Sequence, residues 1–136
     1  MNRYLLDTSA LLALHDDEAG ADQVADLLYR AQEGQAQCLA CFMTLMEIFY
    51  RVWKDEGETA GRLAYQQVQA LPVVWVHEDL SLLEKAAALK ATHAISLADA
   101  WIAAAAILQE AQLVHKDPEL THLPCPQLAL PTSHLS

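Results

Sequence analysis

The 136-residue chain is poor in the residues that cross-link, break or disorder a fold. It has three cysteines, four glycines and five prolines. Three cysteines are too few, and odd in number, for a disulfide framework, so a reduced intracellular setting is the simpler interpretation. Scarce glycine and proline, beside a hydrophobic share of 54%, argue against a disordered or fibrous chain. The length fits one domain, which we expect to span residues 1–136.

Two further absences limit where the chain acts. No apolar run approaches the roughly 20 residues of a membrane span, and the apolar start is interrupted by Asp7 and lacks a basic leader beyond Arg3. We therefore expect a soluble cytoplasmic protein without a membrane partner. Positive charge is also scarce, since the net charge is −10, which argues against a simple phosphate-clamping surface. A nucleic-acid enzyme stays open, because metal-binding acids count as negative until the metal arrives.

The chain does contain an alternation of strand and helix patterns. The pattern indicates a mostly parallel sheet with right-handed crossovers and helices on both faces. The segment Pro72–Val76 is the clearest strand, because it is β-branched and aromatic. Strands are predicted at residues 3–7, 37–41, 72–76, 112–115 and near 128–130, and helices at 10–14, 19–33, 44–54, 58–70, 79–91 and 97–111.

Four acids fall at the sheet edge where such folds bind their ligands. Asp7 ends the first strand and Asp117 follows the fourth, while Glu47 and Asp99 lie in first turns of predicted helices. Carboxylates that converge repel one another, and divalent cations relieve that repulsion. Oxygen ligands without His or Cys favour Mg²⁺ or Mn²⁺ over zinc. Such ions lower the pKa of a bound water and stabilise a phosphoryl transition state.

Each of these acids also has a purely structural interpretation. A T-x-x-E pattern ends at Glu47 and an S-x-x-D pattern ends at Asp99, and both match the capping box of a helix N-terminus. Asp7 and Asp117 each precede a helical pattern and are candidate N-caps. Taken singly, every acid favours the structural interpretation. Their joint occurrence favours a metal site, because four independent caps need not share one edge of one sheet.

The segments around these acids resemble the motifs of PIN-domain nucleases. Leu5–Leu14 resembles the opening motif, Met43–Ile48 the second, Ser96–Ala106 the third and Leu113–Asp117 the fourth. Their order and spacing, together with the chain length, are similar to the VapC-like toxins of bacterial and archaeal toxin–antitoxin modules. The resemblance extends to about Leu120.

The resemblance implies a three-layer α/β/α sandwich, usually dimeric, that cuts RNA with Mg²⁺ or Mn²⁺. It implies that Asp7, Glu47, Asp99 and Asp117 are the catalytic metal ligands, and that Ser9 orients a ligand or a metal-bound water. The implied function is an endoribonuclease that hydrolyses phosphodiester bonds with a metal-activated water. A separate antitoxin protein would hold this toxin inactive.

The fourth motif departs from the family pattern. His115 stands where Thr or Ser is usual, and Pro118-Glu119-Leu120 replaces a short polar turn ending in an aromatic. On a strand, His115 shares a face with Asp117, so it either touches metal or phosphate or is a satisfied core histidine, and the second is favoured. Arg51 and Lys116 are further candidates to contact RNA phosphates, with solvated surface charges as the alternative.

Two other functions stay open. A PIN fold without useful catalysis would act as a binding module, which the acidic surface and the altered fourth motif favour and the retention of all four acids disfavours. A receiver domain also places an Asp at a strand end, but it needs an acid pair beside that Asp. Here Asp16 and Asp17 follow the first helix instead, so a receiver domain is disfavoured.

Overall fold

Five parallel strands form one sheet in the computed structural model, which describes residues 1–133. The spatial order is β3-β2-β1-β4-β5, and each neighbouring pair is parallel. The chain moves outward from β1 through β2 to β3 and then returns to the other side of β1, so the strand order reverses between β1 and β4. The strands are β1 (Asn2–Leu6), β2 (Ala36–Cys41), β3 (Val74–Val76), β4 (Gln112–His115) and β5 (Gln127–Ala129).

Helices cover both faces of this sheet. Helices α5 and α6 pack on one face and α1 to α4 on the other, which confirms the predicted α/β/α architecture. No helix among residues 1–133 is long and apolar enough to cross a bilayer. The helices are α1 (Thr8–His15), α2 (Ala21–Gln32), α3 (Phe42–Glu56), α4 (Glu58–Gln69), α5 (Leu80–Thr92) and α6 (Leu97–Leu108), and a 3-10 turn spans Pro118–Leu120.

The central strand β1 shows why both faces are apolar. Leu5 packs into the cluster under α5 and α6, whereas Tyr4 and Leu6 pack into the cluster under the other four helices. This follows from the two-residue period of a strand, which sends alternate side chains to opposite faces. On α6, the four alanines 103–106 are fully buried, and their small side chains let that helix lie close to the sheet.

Helix α3 begins earlier than the sequence pattern predicts. The predicted start was Thr44, but the helix begins at Phe42, directly after β2, with Cys41 as its N-cap. Glu47 therefore lies in the second turn rather than the first. The capping-box interpretation of Glu47 is wrong, because Thr44 is inside the helix and fully buried.

The predicted strand Pro72–Val76 is shorter than its composition suggests. Only Val74–Val76 is extended, at the edge of the sheet beside β2. The preceding residues turn instead, since the Val73 amide donates to the Leu71 carbonyl at 2.7 Å. Pro72 has no amide proton to donate to a ladder. The high β-propensity of this segment predicted a longer strand. At the edge of the sheet it pairs only with β2, so fewer residues are held in the extended conformation.

Helices α3 and α4 approach each other closely at Gly61. A Cβ at this position would lie 2.8 Å from the Cβ of Trp53, 2.9 Å from its backbone nitrogen and 3.0 Å from the Phe49 carbonyl oxygen. Two of these three atoms belong to the backbone of α3, which cannot rotate away as a flexible side chain would. Gly61 therefore permits the close packing of the two helices.

We expect Gly61→Ala to lower the free energy of unfolding by about 1–3 kcal/mol, as overpacking does, despite a helix-propensity gain of about 1 kcal/mol. Urea denaturation would measure the change. Thr59→Ala is the matched control, since this exposed residue is on the same helix, and it should not lose stability. Equal stability of the two variants would show that the helices separate at little cost.

Candidate active site

Asp7 lies at the point where the strand order reverses, immediately after β1. Its side chain is almost fully buried, at 4% exposure. It is the N-cap of α1, because its Oδ2 accepts the Ser9 amide at 3.0 Å and also the Ser9 hydroxyl. That hydroxyl in turn accepts the backbone N–H of Lys116 at 3.0 Å. Ser9 therefore joins the Asp7 carboxylate to the end of β4, on the other side of the reversal.

Glu47 reaches the same region from the second turn of α3. Its Oε1 accepts the Thr8 hydroxyl at 2.7 Å, and the hydroxyls of Thr8 and Thr44 are 2.9 Å apart. A hydroxyl has one proton, so Thr8 donates to Glu47 and accepts from Thr44. Thr8 and Thr44 are buried, so this relay holds the Glu47 carboxylate beside the start of α1.

Asp99 and Asp117 lie at the N-termini of helical segments, α6 and the 3-10 turn. Ser96 is the N-cap of α6, and its hydroxyl accepts the Asp99 amide at 3.1 Å. Asp117 caps the 3-10 turn that follows β4, because its Oδ1 accepts the Glu119 amide at 2.9 Å. The capping interpretation is therefore confirmed for Asp7 and Asp117. In the S-x-x-D pattern Ser96 is the N-cap and Asp99 lies in the first turn of α6. Capping and proximity to one site are compatible, since helix N-termini favour negative charge.

The carboxylates influence one another electrostatically. Burial raises the pKa of Asp7, and repulsion by Glu47 adds to this, while the hydrogen bonds from Ser9 oppose it. Burial likewise raises the pKa of Asp99 to about 6, and repulsion by Asp7, Asp117 and Glu119 contributes. Asp7 thus interacts with both Glu47 and Asp99, and Asp99 with Asp117, so the structure brings the four predicted acids to one edge of the sheet.

The donor set fits a hard divalent cation. All four predicted ligands are carboxylates, and the mutually repelling pair of the buried Asp7 and the half-buried Asp99 would be stabilised by a cation. Among residues 1–133, the one trio of His, Cys or acidic ligand atoms within 4.8 Å of one another is at the exposed residues His15, Asp16 and Glu56. No three of the four predicted ligands therefore meet this distance. Mg²⁺ keeps several waters and usually binds proteins through one or two carboxylates, so it does not require such a trio.

Of the three residues predicted to contact RNA, two line a cavity of about 380 Å³ next to Ser9. Arg51 and Lys116 are both on its wall, together with acids such as Asp16. Lys116 is partly neutralised, since its Nζ lies 4.0 Å from Glu18. Their contact with phosphate stays a prediction.

His115 is placed differently from a phosphate ligand. Its side chain is only 1% exposed, and both ring nitrogens have protein partners, at Gln127 and at the Asp117 amide. Of the two roles considered for it, the satisfied core histidine agrees with this environment, and contact with phosphate does not.

Sequence reasoning missed three residues that support these acids. Thr8 and Thr44 orient Glu47, and Gln127 contacts His115. A polar Thr44 between the apolar residues of a helix was a usable signal, but the capping-box pattern offered a simpler explanation for it. Gln127 gave no signal, because its contact with His115 depends on the pairing of β5 with β4.

The model of the PIN-domain family matches residues 4–124, which is most of the chain. The chain belongs to the PIN-domain family. The match includes all four predicted acids. It also includes the ends of β1 and β4, which the hydrogen bonds of Ser9 join. No curated protein sequence matches the chain. Gln127 and the strand β5 lie beyond the matched residues.

Solved structures share the fold of this PIN domain over nearly its whole length. The chain is similar to one in VapBC2 from Rickettsia felis bound to a promoter DNA fragment, with a TM-score of 0.76, 17% identity and coverage of 95% of this chain and 99% of that one. It is also similar to VapC20 of Mycobacterium tuberculosis, a Sarcin-Ricin loop cleaving toxin, with a TM-score of 0.73, 18% identity and coverage of 94% and 99%. DNA-bound VapBC from Salmonella typhimurium gives a TM-score of 0.76 at 14% identity, with 95% and 98% covered. The resemblance to VapC-like toxins is thereby confirmed in the fold.

The raised pKa of Asp99 predicts a pH-dependent stability. A carboxyl whose folded pKa exceeds its ordinary value of 3.8 favours folding while protonated, and this contribution disappears as the pH rises through about 6. In EDTA, Asp99→Asn should therefore match the wild type in Tm near pH 4 and exceed it above pH 7. Glu84→Gln, at an exposed acid of α5 outside the first turn of that helix, should follow the wild type throughout. A constant difference between Asp99→Asn and wild type across this range would contradict the electrostatic account.

Proposed function

We propose that this PIN domain is an endoribonuclease that hydrolyses RNA phosphodiester bonds with Mg²⁺ or Mn²⁺, and that it is the toxin of a toxin–antitoxin pair. The observation that carries the proposal is the chain of repelling carboxylates Glu47, Asp7, Asp99 and Asp117 at the reversal of strand order. Desolvation of the buried Asp7 and of the half-buried Asp99 costs free energy that a purely structural role does not require. Membership of the PIN-domain family supports the same conclusion.

The metal-binding residues have distinct proposed roles. Asp7 and Asp99 are the main ligands, because they are the pair whose ionised forms most need a counter-charge. Glu47 and Asp117 complete the ligand set or position a water. When bound, a divalent ion would lower the pKa of a water and stabilise the charge of an in-line phosphoryl transition state.

The uncharged residues around these acids act by orientation. Ser9 fixes the Oδ2 atom of Asp7, and Thr8 fixes the Oε1 atom of Glu47, so each carboxylate presents its other oxygen in a defined direction. Such preorganisation avoids the cost of ordering the ligands when substrate binds. Arg51 and Lys116, on the cavity beside Ser9, would contact the RNA backbone at its phosphates.

The partner proposals follow from exposed apolar surface and from the similar structures. Two further similar structures are a toxin–antitoxin complex from Klebsiella pneumoniae and VapBC-5 of Mycobacterium tuberculosis, a member of a family of toxin–antitoxin systems, so we propose a separate antitoxin for this chain. An antitoxin with a basic segment would complement the net charge of −10. We also propose a homodimer in the cytoplasm.

Two separate apolar surfaces are available for these two protein contacts. On α3, Met46, Tyr50 and Trp53 are exposed beside a groove of about 480 Å³. On α5 and α6, Leu83 and Leu97 are exposed beside a second groove of about 390 Å³. Contiguous exposed apolar surface of this kind is typical of protein interfaces.

A catalytically weak PIN-fold binding module is the second candidate function. The acidic overall charge and the unusual His115 in the fourth motif favour it. It differs from the nuclease in one measurable respect, since it would bind metal without cleaving RNA.

The nuclease proposal predicts metal-dependent cleavage of a structured RNA mixture by the purified, antitoxin-free protein. Cleavage should require Mg²⁺ or Mn²⁺, stop in EDTA and fall on the order of 100-fold or more in Asp7→Asn, because a direct ligand is lost. Asp22→Asn should retain full activity. Mn²⁺ binding by calorimetry without cleavage of any RNA would favour the binding module, and absence of Mn²⁺ binding would refute the metal site.

The partner proposal predicts a wild-type mass of twice 15.0 kDa in light scattering after size-exclusion chromatography. Placing a charge in a dimer surface makes its burial costly. Either Met46→Glu on α3 or Leu97→Glu on α6 should therefore yield a monomer, while the other variant stays dimeric. A monomeric wild type at tens of micromolar would refute the homodimer.

A further inference from the structure

The buried pair His115 and Gln127 lies next to Asp117, and the family match does not include Gln127. His115 ends β4 and is 1% exposed. Gln127 begins β5, three residues past the end of the match at residue 124. A buried imidazole must satisfy both ring nitrogens within the protein, and here one bond is to Gln127 and the other to the main chain of Asp117.

The hydrogen bonds of Gln127 determine its orientation. Its Nε2 donates to the carbonyl oxygen of Leu120 at 2.8 Å and lies 3.4 Å from that of Leu123. Carbonyl oxygens only accept, so the amide nitrogen must face them and the Oε1 must face His115. That oxygen is 2.8 Å from the Nε2 of His115. The imidazole therefore carries its proton on Nε2.

The same tautomer is required at the other ring nitrogen. The backbone amide of Asp117 donates to the Nδ1 of His115 at 3.1 Å, and only an unprotonated Nδ1 accepts. The carbonyls of the 118–124 loop thus select, through Gln127, the one neutral form of His115 that holds Asp117. Each donor in this series meets an acceptor, so the arrangement is internally consistent.

We propose that Gln127 and His115 are positioning residues for Asp117, with Gln127 selecting the Nε2–H tautomer and His115 holding the Asp117 main chain through Nδ1. This inference rests on the proposed function for the role of Asp117 as a metal ligand. The side chain of Asp117 is anchored separately by the Glu119 amide. Main chain and side chain are then both fixed, at a place from which the Asp117 carboxylate raises the pKa of Asp99. The fifth strand, outside the family match, is in this way part of the site.

Two substitutions of His115 separate the two hydrogen bonds. The Oδ1 of His115→Asn replaces Nδ1 as the acceptor for the Asp117 amide but does not reach Gln127. The side chain of His115→Gln reaches Gln127 but offers no acceptor at the Nδ1 position. Gln127→Met keeps the approximate volume and removes all the hydrogen bonds of the amide. His122→Asn is the matched control, because His122 is exposed and outside this series.

Mn²⁺ affinity by calorimetry and the kinetic constants of RNA cleavage give the first readout. Loss of a residue that orients a metal ligand typically costs 10–100-fold in affinity or activity. We expect that loss in His115→Gln and Gln127→Met, mainly in kcat rather than KM, and a change below about tenfold in His115→Asn. His122→Asn should match the wild type. Equal losses in His115→Asn and His115→Gln, in proportion to their loss of Tm, would overturn the proposal in favour of a packing role.

Nuclear magnetic resonance tests the positioning without reference to activity. The ¹⁵N shifts of wild-type His115 should show a protonated Nε2 and an unprotonated Nδ1. Hydrogen exchange at the Asp117 amide should be slow in the wild type and in His115→Asn, and fast in His115→Gln. A protonated Nδ1, or an unprotected Asp117 amide in the wild type, would overturn the inference. If the wild type cleaves no RNA, the proposed function fails while these spectra still decide whether His115 holds Asp117.

Discussion

Burial of the central strand β1 between two helical layers is the constraint on which the candidate site depends. Leu5 and Leu6 have no exposed surface, and the strand is paired on both sides, with β2 and β4. The residue that follows it, Asp7, therefore leaves the sheet at a point enclosed by α1 and β4. A carboxylate in such a place is poorly solvated, and its ionised form must be stabilised by the protein or by a bound cation.

Within the protein, the hydroxyl side chains of serine and threonine stabilise these carboxylates. Ser9 donates to Asp7, and Thr8, supported by Thr44, donates to Glu47. These hydroxyls are neutral, so they orient the carboxylates without cancelling their charge. The pKa values of Asp7 and Asp99 are raised. The hydrogen bonds to these carboxylates therefore do not fully offset the effects of desolvation and of repulsion by neighbouring acids. A site built in this way lowers the stability of the metal-free protein, which agrees with the proposed nuclease, whose metal ligands would be preorganised.

The end of β4 combines a capping function with a supporting one. Asp117 caps the 3-10 turn while its amide is held by His115, and the carbonyls of the loop after that turn orient Gln127. The loop that follows Asp117 thus helps to hold Asp117 itself, through Gln127 and His115. Replacement of the usual Thr or Ser by His115 does not leave a buried polar group unpaired, because Gln127 supplies the second partner.

Local patterns in the sequence were sufficient for the element order, the parallel sheet and the positions of Asp7, Asp99 and Asp117, because strand and helix periodicities and capping residues act over a few neighbours. They were insufficient for Glu47, where a T-x-x-E pattern suggested a cap and the structure made Thr44 a buried support for Thr8. They also overestimated the strand before Val74, whose length depended on pairing at the edge of the sheet. The partners of His115 came only with the tertiary structure, since twelve residues separate it from Gln127 and β-pairing alone brings the two together. Short-range chemistry thus determined which residues are candidates, and long-range packing decided which of them are buried, oriented and coupled.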